Sequence, residues 1–353
     1  MTADLLALYH KQRKKALAFS LCLLIALTLL LLFGVNTGAM SISIGDGARI
    51  MLSRITGDGR WLGDIKQNAV AVIWRIRLPR ILCGMLVGMA LSMSGVIFQS
   101  ILQNPMADPY TMGVSTGAAF GATLALLLNM TFGLLLPITP MGLFFALVTL
   151  RVVIYLSGKG GGLVTGNMII SGMIVSAVFS SGISFLKIMA GENVSTIVFW
   201  LMGSLSAKSW NDVAVLAPII LTCAVVSVWF ADRLNIMSLG EQQALSLGVN
   251  VRRTRLLYLL LGAFMTAVCV SVCGIIGFVG LIVPHMLRFW ISADNRLLMP
   301  LSGLSGALLL GMADNFARLL GRGDMPVGVL TTLLGGPFFI YIFIKRQGGA
   351  RLG

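Results

Sequence analysis

Charge is scarce in this sequence. Only 11% of its 353 residues are Asp, Glu, Lys or Arg, and 57% are hydrophobic. Such a chain cannot cover a soluble globule with polar surface, so it belongs in a bilayer, and a mean hydropathy of +0.94 agrees. Histidine is nearly missing, His10 and His285 being the 2 copies, and no paired carboxylates lie within an apolar run. Neither a zinc hydrolase nor a glycosidase site can be assembled from that inventory. No loop of the form GxxxxGK[ST] occurs, since Lys159 in SGKGGG lacks both the spacing and the following hydroxyl, so the chain is not expected to hydrolyse ATP itself. The 5 cysteines, Cys22, Cys83, Cys223, Cys269 and Cys273, all fall in apolar segments and read as small buried side chains. Basic residues outnumber acidic ones, 26 to 12, but they sit in short groups between apolar spans, which argues against a nucleic-acid partner.

What the chain does have is glycine, 41 copies, and long apolar runs. At about 1.5 Å per residue, roughly 20 apolar residues cross the hydrocarbon core. That ruler predicts an all-α polytopic membrane protein with about ten spans in one domain, residues 1–353. The first runs from Ala16 to Val35 and the second from Ile81 to Gln99. The charge-free interval Pro109 to Leu150 is too long for one crossing and breaks into two at Gly133, Pro137 and Pro140. Further spans are expected near 163–186, 212–231, 256–272, 274–291, 297–316 and 327–344, while Ile197–Ala207 is too short to cross. Small residues recur every four positions at Gly84, Gly88 and Ser92, at Gly117, Gly121 and Ala125, at Gly172, Ser176, Ser180 and Ser184, and at Gly303, Ala307 and Gly311. Such stripes draw helices together in lipid.

Lys11, Arg13, Lys14 and Lys15 place the amino-terminal tail, 1–15, in the cytoplasm, and Lys345, Arg346 and Arg351 place the other end there too. The first apolar run is too long for a signal peptide and reads as an uncleaved helix. The connection at 37–80 then lies outside, yet it carries Arg49, Arg54, Arg60, Lys66, Arg75, Arg77 and Arg80 against Asp46, Asp58 and Asp64. Two explanations fit this inversion: arginines presented to an acidic partner, or arginines reaching lipid phosphate. On the other face, the loop 232–255 contains LGEQQALSLGV, in which Leu239, Ala244, Leu245 and Leu247 form one apolar side of a short helix bracketed by Gly240 and Gly248.

Several ordered motifs resemble the FecCD-type permeases, the membrane subunits of ABC importers for iron-siderophores, haem and cobalamin. The stretch GIIGFVGLIVPHMLR at 274–288 is similar to a late-helix signature of that family, with Gly274, Gly277 and Gly280 set for close packing on one helix face. RLPR at 77–80, NPMADP at 104–109, the LGEQQALSLGV string and ADNFAR at 313–318 follow the family's order and cover most of the chain from Arg77 to Lys345. Where relatives often carry glutamate before an LP dipeptide, this sequence reads Asp324, Met325, Pro326. Taken singly, each motif also has a plainer reading as a tight helix crossing, an ordinary turn or a surface helix.

The resemblance implies a type II ABC importer permease fold with both termini cytoplasmic, in a bacterial plasma (inner) membrane. It implies that Arg77, Arg80 and Arg318 dock an extracytoplasmic substrate-binding protein. Asn104 and Met106, with Thr165 and Gly166, form a cytoplasmic gate. Gly240, Glu241, Ala244, Leu247 and Gly248 contact two cytoplasmic ATPase subunits, Glu241 and Ala244 foremost. A second permease copy or paralogue completes the pathway; ATP and Mg belong to the ATPase partners, and this chain holds no cofactor or metal and has no catalytic residue. Ferric siderophore is the leading expected cargo, followed by haem and cobalamin. An ion-coupled secondary transporter is the main rival, disfavoured because the spans are almost free of ionisable groups; a structural assembly subunit would leave the ordered motifs unexplained.

Overall fold

The computed structural model describes residues 2–38, 40, 42–63, 65–159, 165–320 and 325–349, with side chains from residue 10 to residue 340. Its helices are α1 (Thr2–Asn36), α2 (Ile44–Thr56), α3 (Gln67–Ala71), α4 (Leu78–Ile101), α5 (Val114–Phe132), α6 (Ile138–Gly158), α7 (Thr165–Met189), α8 (Val194–Leu201), α9 (Trp210–Trp229), α10 (Ala231–Ser238), α11 (Glu241–Ser246), α12 (Val251–Cys273), α13 (Val279–Trp290), α14 (Asn295–Leu320) and α15 (Val327–Gly349). No strand occurs among the described residues. Eight helical segments there are long and apolar enough to cross a membrane, and α13 and the stretch Val327–Ile340 of α15 are apolar too, which together match the ten expected spans. Asp324 lies outside the described residues.

Helix α4 is the axis of the bundle, packed against α9, α12, α13 and α14. Backbone contact at glycine is what lets those neighbours come so close. A Cβ on Gly88 would strike the Gly306 carbonyl, and one on Gly95 would strike the Gly280 carbonyl. The Gly117 and Gly121 stripe on α5 meets Thr149, Phe145 and Met141 of α6 in the same way. On α7 the stripe divides: Gly172 and Ser176 pack on residues 111–113, whereas Ser180 and Ser184 are exposed. The α5–α6 break falls at Gly133, whose φ of +65° caps α5, and Asn129 closes the connection by bonding both the N–H and the C=O of Leu136.

Two boundaries differ from expectation. The second span does not begin at Ile81, because α3 continues through a π-type turn at Val72–Arg77 into α4 as one apolar rod, Gln67–Ile101. Pro79 follows the widened turn in the first turn of α4, where its missing N–H does not stop the helix. The connection 37–80 is thus largely structured, with α2 and a 3₁₀ turn at Gly59–Trp61 forming a shelf at the end of α1.

The span expected at 274–291 starts only at Val279. Gly274 at φ +74° ends α12, and Phe278 at φ +68° starts α13. Gly274, Gly277 and Gly280 therefore do not share one helix face; Gly274 packs on the Trp200 carbonyl and Gly280 on α4. The unwound stretch is held by Ser204 N–H donating to the Cys273 carbonyl (2.8 Å), by Lys208 Nζ donating to the Val272 carbonyl (2.7 Å) and by Tyr110 Oη donating to the Ile276 carbonyl (2.7 Å). Non-helical backbone within such a bundle survives only when its polar groups are satisfied in this way.

Candidate functional site

Two ends of the bundle carry the predicted residues. At the shelf end the structure brings Arg77, Arg80 and Arg318 together, but turns them inward. Arg80 forks onto Asp314 with Nε and Nη2 2.8 to 3.1 Å from its oxygens, the two side chains being 11% and 2% exposed. Arg318 approaches the same carboxylate at 3.5 Å, donates to the Thr37 carbonyl at 3.2 Å, and bonds Asn315 Oδ1. Arg77 is buried and donates to the carbonyls of Val35 (2.9 Å) and Met40 (2.6 Å). Instead of an open arginine surface, this is a clamp joining the ends of α1, α4 and α14. Its physical cause is the orphan carbonyls at the end of α1 and the single carboxylate on α14, which three guanidinium groups can reach. The exposed bases at this end are Arg49, Arg54, Arg60, Lys66 and Arg75.

At the opposite end, α10 packs against α4 and α14, and α11 projects from it beside α12. Gly240 (φ +112°) and Gly248 (φ +79°) bracket α11 as expected, but its apolar residues divide. Ala244 is fully buried against Met237 and Val251, while Leu239, Leu245 and Leu247 are exposed. Ala244 anchors this short helix, and the leucines on and around it form its exposed surface. The Glu241 side chain is 61% exposed and lies 3.5 Å from Arg255 of α12.

Behind α11 is a cavity of about 170 Å³ whose walls include Gln103, Thr165, Glu241 and Arg255. Thr165 of the predicted gate and Glu241 of the predicted coupling helix thus line one space, whose walls do not include Asn104 or Met106. Gln103, which immediately precedes Asn104, holds left-handed backbone (φ +47°) and donates to the Met237 carbonyl at the end of α10 (3.1 Å). Nothing in the sequence singled it out except its place before NPMADP. Asn104 Oδ1 accepts from Met106 N–H (2.9 Å), and the Met106 side chain is exposed. Gly166 faces open space and takes no part in the cavity wall.

Beyond the gate turn, Asp108 Oδ1 accepts from the N–H groups of Tyr110 and Thr111, both at 3.0 Å. Burial pushes its carboxyl up to about 6 despite those two bonds. Arg296 bridges Asp294 and Asp232, and Asn235 bonds Asp294, so α10 is fastened to the start of α14. Burial pushes the Asp294 carboxyl up, but the Arg296 and Asn235 donors outweigh it and hold it below its usual value.

The sequence matches the FecCD transport family over residues 23–345. The chain belongs to the FecCD transport family. Among its relatives, the cobalamin import system permease protein BtuC of Halobacterium salinarum is 38% identical over 80% of this chain and 76% of its own. The hemin transport system permease protein HmuU of Yersinia pestis is 36% identical, covering 92% and 95%, and the molybdate import system permease protein MolB of Haemophilus influenzae is 34% identical, covering 94% and 96%. A solved structure described as an inward-facing metal-chelate type ABC transporter superposes with a TM-score of 0.80 at 32% identity, covering 94% of this chain and 99% of the other. This FecCD protein is accordingly a multi-pass ABC importer permease that works with the other subunits of a transporter.

Membership gives the two ends a context. A FecCD permease needs surfaces for its companion subunits, and the exposed leucines around α11 and the exposed α7 face, with Ile174, Val178 and Ser180, are left unpacked in the single chain.

Proposed function

We propose that this permease moves a metal chelate, ferric siderophore first among the candidates, into the cytoplasm, driven by ATP hydrolysed in two partner ATPase subunits. The observation that carries the reading is the helix α11: it is anchored by buried Ala244, carries exposed Leu245 beside Glu241 and is flanked by exposed Leu239 and Leu247, directly over the cavity that Thr165 and Gln103 line. An ATPase seated on those leucines pushes on a helix already tied to the gate turn through Gln103 and Met237. The gate comprises Asn104, Met106 and Thr165, with Gly166 as the open hinge at the start of α7. A second copy or paralogue lies against α7, so that the Ser180 and Ser184 hydroxyls border the pathway.

An extracytoplasmic binding protein docks at the shelf end. Arg77, Arg80 and Arg318 hold that rim in shape, and an acidic partner reaches Arg80 only by displacing Asp314; exposed Lys66 and Arg75 supply the first attraction. This places both termini in the cytoplasm, in the inner membrane of a bacterial cell. Haem and cobalamin are the next candidates, and molybdate follows from the breadth of the relatives.

The test is a cargo panel. The permease, its ATPase and its binding protein are reconstituted in vesicles and offered ferric siderophore, haem, cobalamin and molybdate in parallel. ATP-dependent accumulation of the ferric siderophore alone supports the assignment. Accumulation of another cargo in its place overturns the siderophore assignment and leaves the importer standing.

A further inference from the structure

Helix α2 has two apolar faces, and the bundle uses one. Gly47, Ile50 and Ser53 face inward, with Ile50 wholly buried among Val35, Ile73 and Leu78. The opposite side presents Ile44, Ala48, Leu52 and Ile55, which fall within an arc of about 80° on a helix of 3.6 residues per turn. Ile44, Leu52 and Ile55 are 62%, 40% and 75% exposed. A shelf helix in water has no use for that second stripe. Arg49 stands beside its Leu52 edge and Arg54 lies farther round, between Ile50 and Gly47; both are exposed. Neither pairs with a carboxylate among the described residues, and Arg54 rests 5.9 Å over the Trp74 ring.

The position of α2 says what covers the stripe. The exposed wall of α1, with Leu17, Leu21, Leu24, Leu29 and Phe33, is the side of a membrane-crossing helix that the bundle leaves bare. It ends at Asn36, whose side chain meets Gly47 on the inward face of α2, so α2 lies across the end of that wall. Exposed Trp61, in the turn that follows α2, is the residue type that gathers at the level of lipid headgroups. An aliphatic stripe with a cation beside it, on a helix lying across the end of a lipid-facing wall, fits the membrane and not a second protein.

We propose that α2 is an interfacial helix: Ile44, Leu52 and Ile55 sit at the acyl boundary, and Arg49 and Arg54 bind the phosphates of anionic lipid. The excess of basic residues at this end of the chain is then divided, with these two arginines serving the bilayer. The inference stands whether or not the cargo assignment does.

The test places a nitroxide at Leu52→Cys, Ile55→Cys or Gln67→Cys in a Cys22→Ser background, which removes the exposed native thiol. The permease is embedded in vesicles of phosphatidylcholine with or without phosphatidylglycerol. At 52 and 55, collisions with oxygen should exceed those with a water-soluble nickel chelate several-fold, and the order should reverse at 67. Phosphatidylglycerol should deepen 52 and 55, and Arg49→Glu with Arg54→Glu should abolish that deepening and the lipid retained in native mass spectra. Nickel collisions dominating at 52 and 55 overturn the proposal, as does shielding of these sites only when a binding protein is added. A depth indifferent to phosphatidylglycerol overturns the role given to the arginines.

Discussion

Removing one carboxylate should loosen three helices at once. Asp314 accepts three hydrogen-bond contacts from Arg80 at 2.8 to 3.1 Å and lies 3.5 Å from Arg318, with its own side chain 2% exposed. Asparagine fills the same volume but leaves two guanidinium groups without a counter-charge. Breaking a buried pair from one side costs about 3–5 kcal/mol. For domains of about 150–250 residues a kilocalorie shifts the midpoint by roughly 2–4 °C, and less in a longer chain, so Asp314→Asn should lower Tm on the order of 5–10 °C. Cys83, Cys269 and Cys273 are buried free thiols, so a thiol-reactive dye reports unfolding without any added label. The double change Arg80→Met with Asp314→Leu removes both partners of the main pair, while Arg318 keeps the Thr37 carbonyl and Asn315. It should regain at least half of the lost Tm. If Asp314→Asn melts with the wild type, the clamp is not what holds this end, and the inward reading of the three arginines fails.

The remaining predictions follow from single contacts. Leu239→Arg with Leu245→Arg should leave the bundle folded but stop partner ATPase binding, seen as loss of co-purification; normal co-purification would remove α11 from that interface. Gly95→Val drives a side chain into the Gly280 carbonyl and should cost about 1–3 kcal/mol or more by overpacking, whereas Gly166→Ala faces open space and should melt normally; equal midpoints would refute the close α4–α13 crossing. The raised Asp108 carboxyl favours the protonated form in the folded state, so stability gained at low pH is lost as pH rises through about 6. Asp108→Asn keeps an oxygen for the Tyr110 and Thr111 N–H groups and should flatten the change in Tm between acid and neutral pH; an unchanged slope would assign it to another group.

Helix number and order were legible because lipid demands long apolar runs, and the sequence has little else. The small-residue stripes on α4, α5 and α14 were equally readable, since close packing at Gly88 and Gly117 depends on residue size alone. What escaped were the places where one contact overrides a pattern. The glycines at 274, 277 and 280 read as one helical face, but the chain unwinds there because Ser204, Lys208 and Tyr110, remote in sequence, satisfy its carbonyls. Ala244 reads as a contact residue through the family resemblance, but its side chain is buried against Met237 and Val251. The arginines of RLPR read as an open docking surface through the family resemblance, but Arg77 is taken by the Val35 and Met40 carbonyls and Arg80 by Asp314, 234 residues away. Gln103 carries no motif of its own, so its link to Met237 could be seen only in three dimensions.

On the proposed mechanism, ATP on the face bearing α11 drives cargo inward from the shelf end. The direct measurement is ferric siderophore uptake into proteoliposomes of the assembled transporter, with ATP sealed inside or supplied outside and the binding protein on the opposite side. Accumulation that requires ATP on the α11 side and the binding protein on the shelf side is the predicted result. Accumulation unaffected by ATP but abolished by collapsing an ion gradient would contradict it.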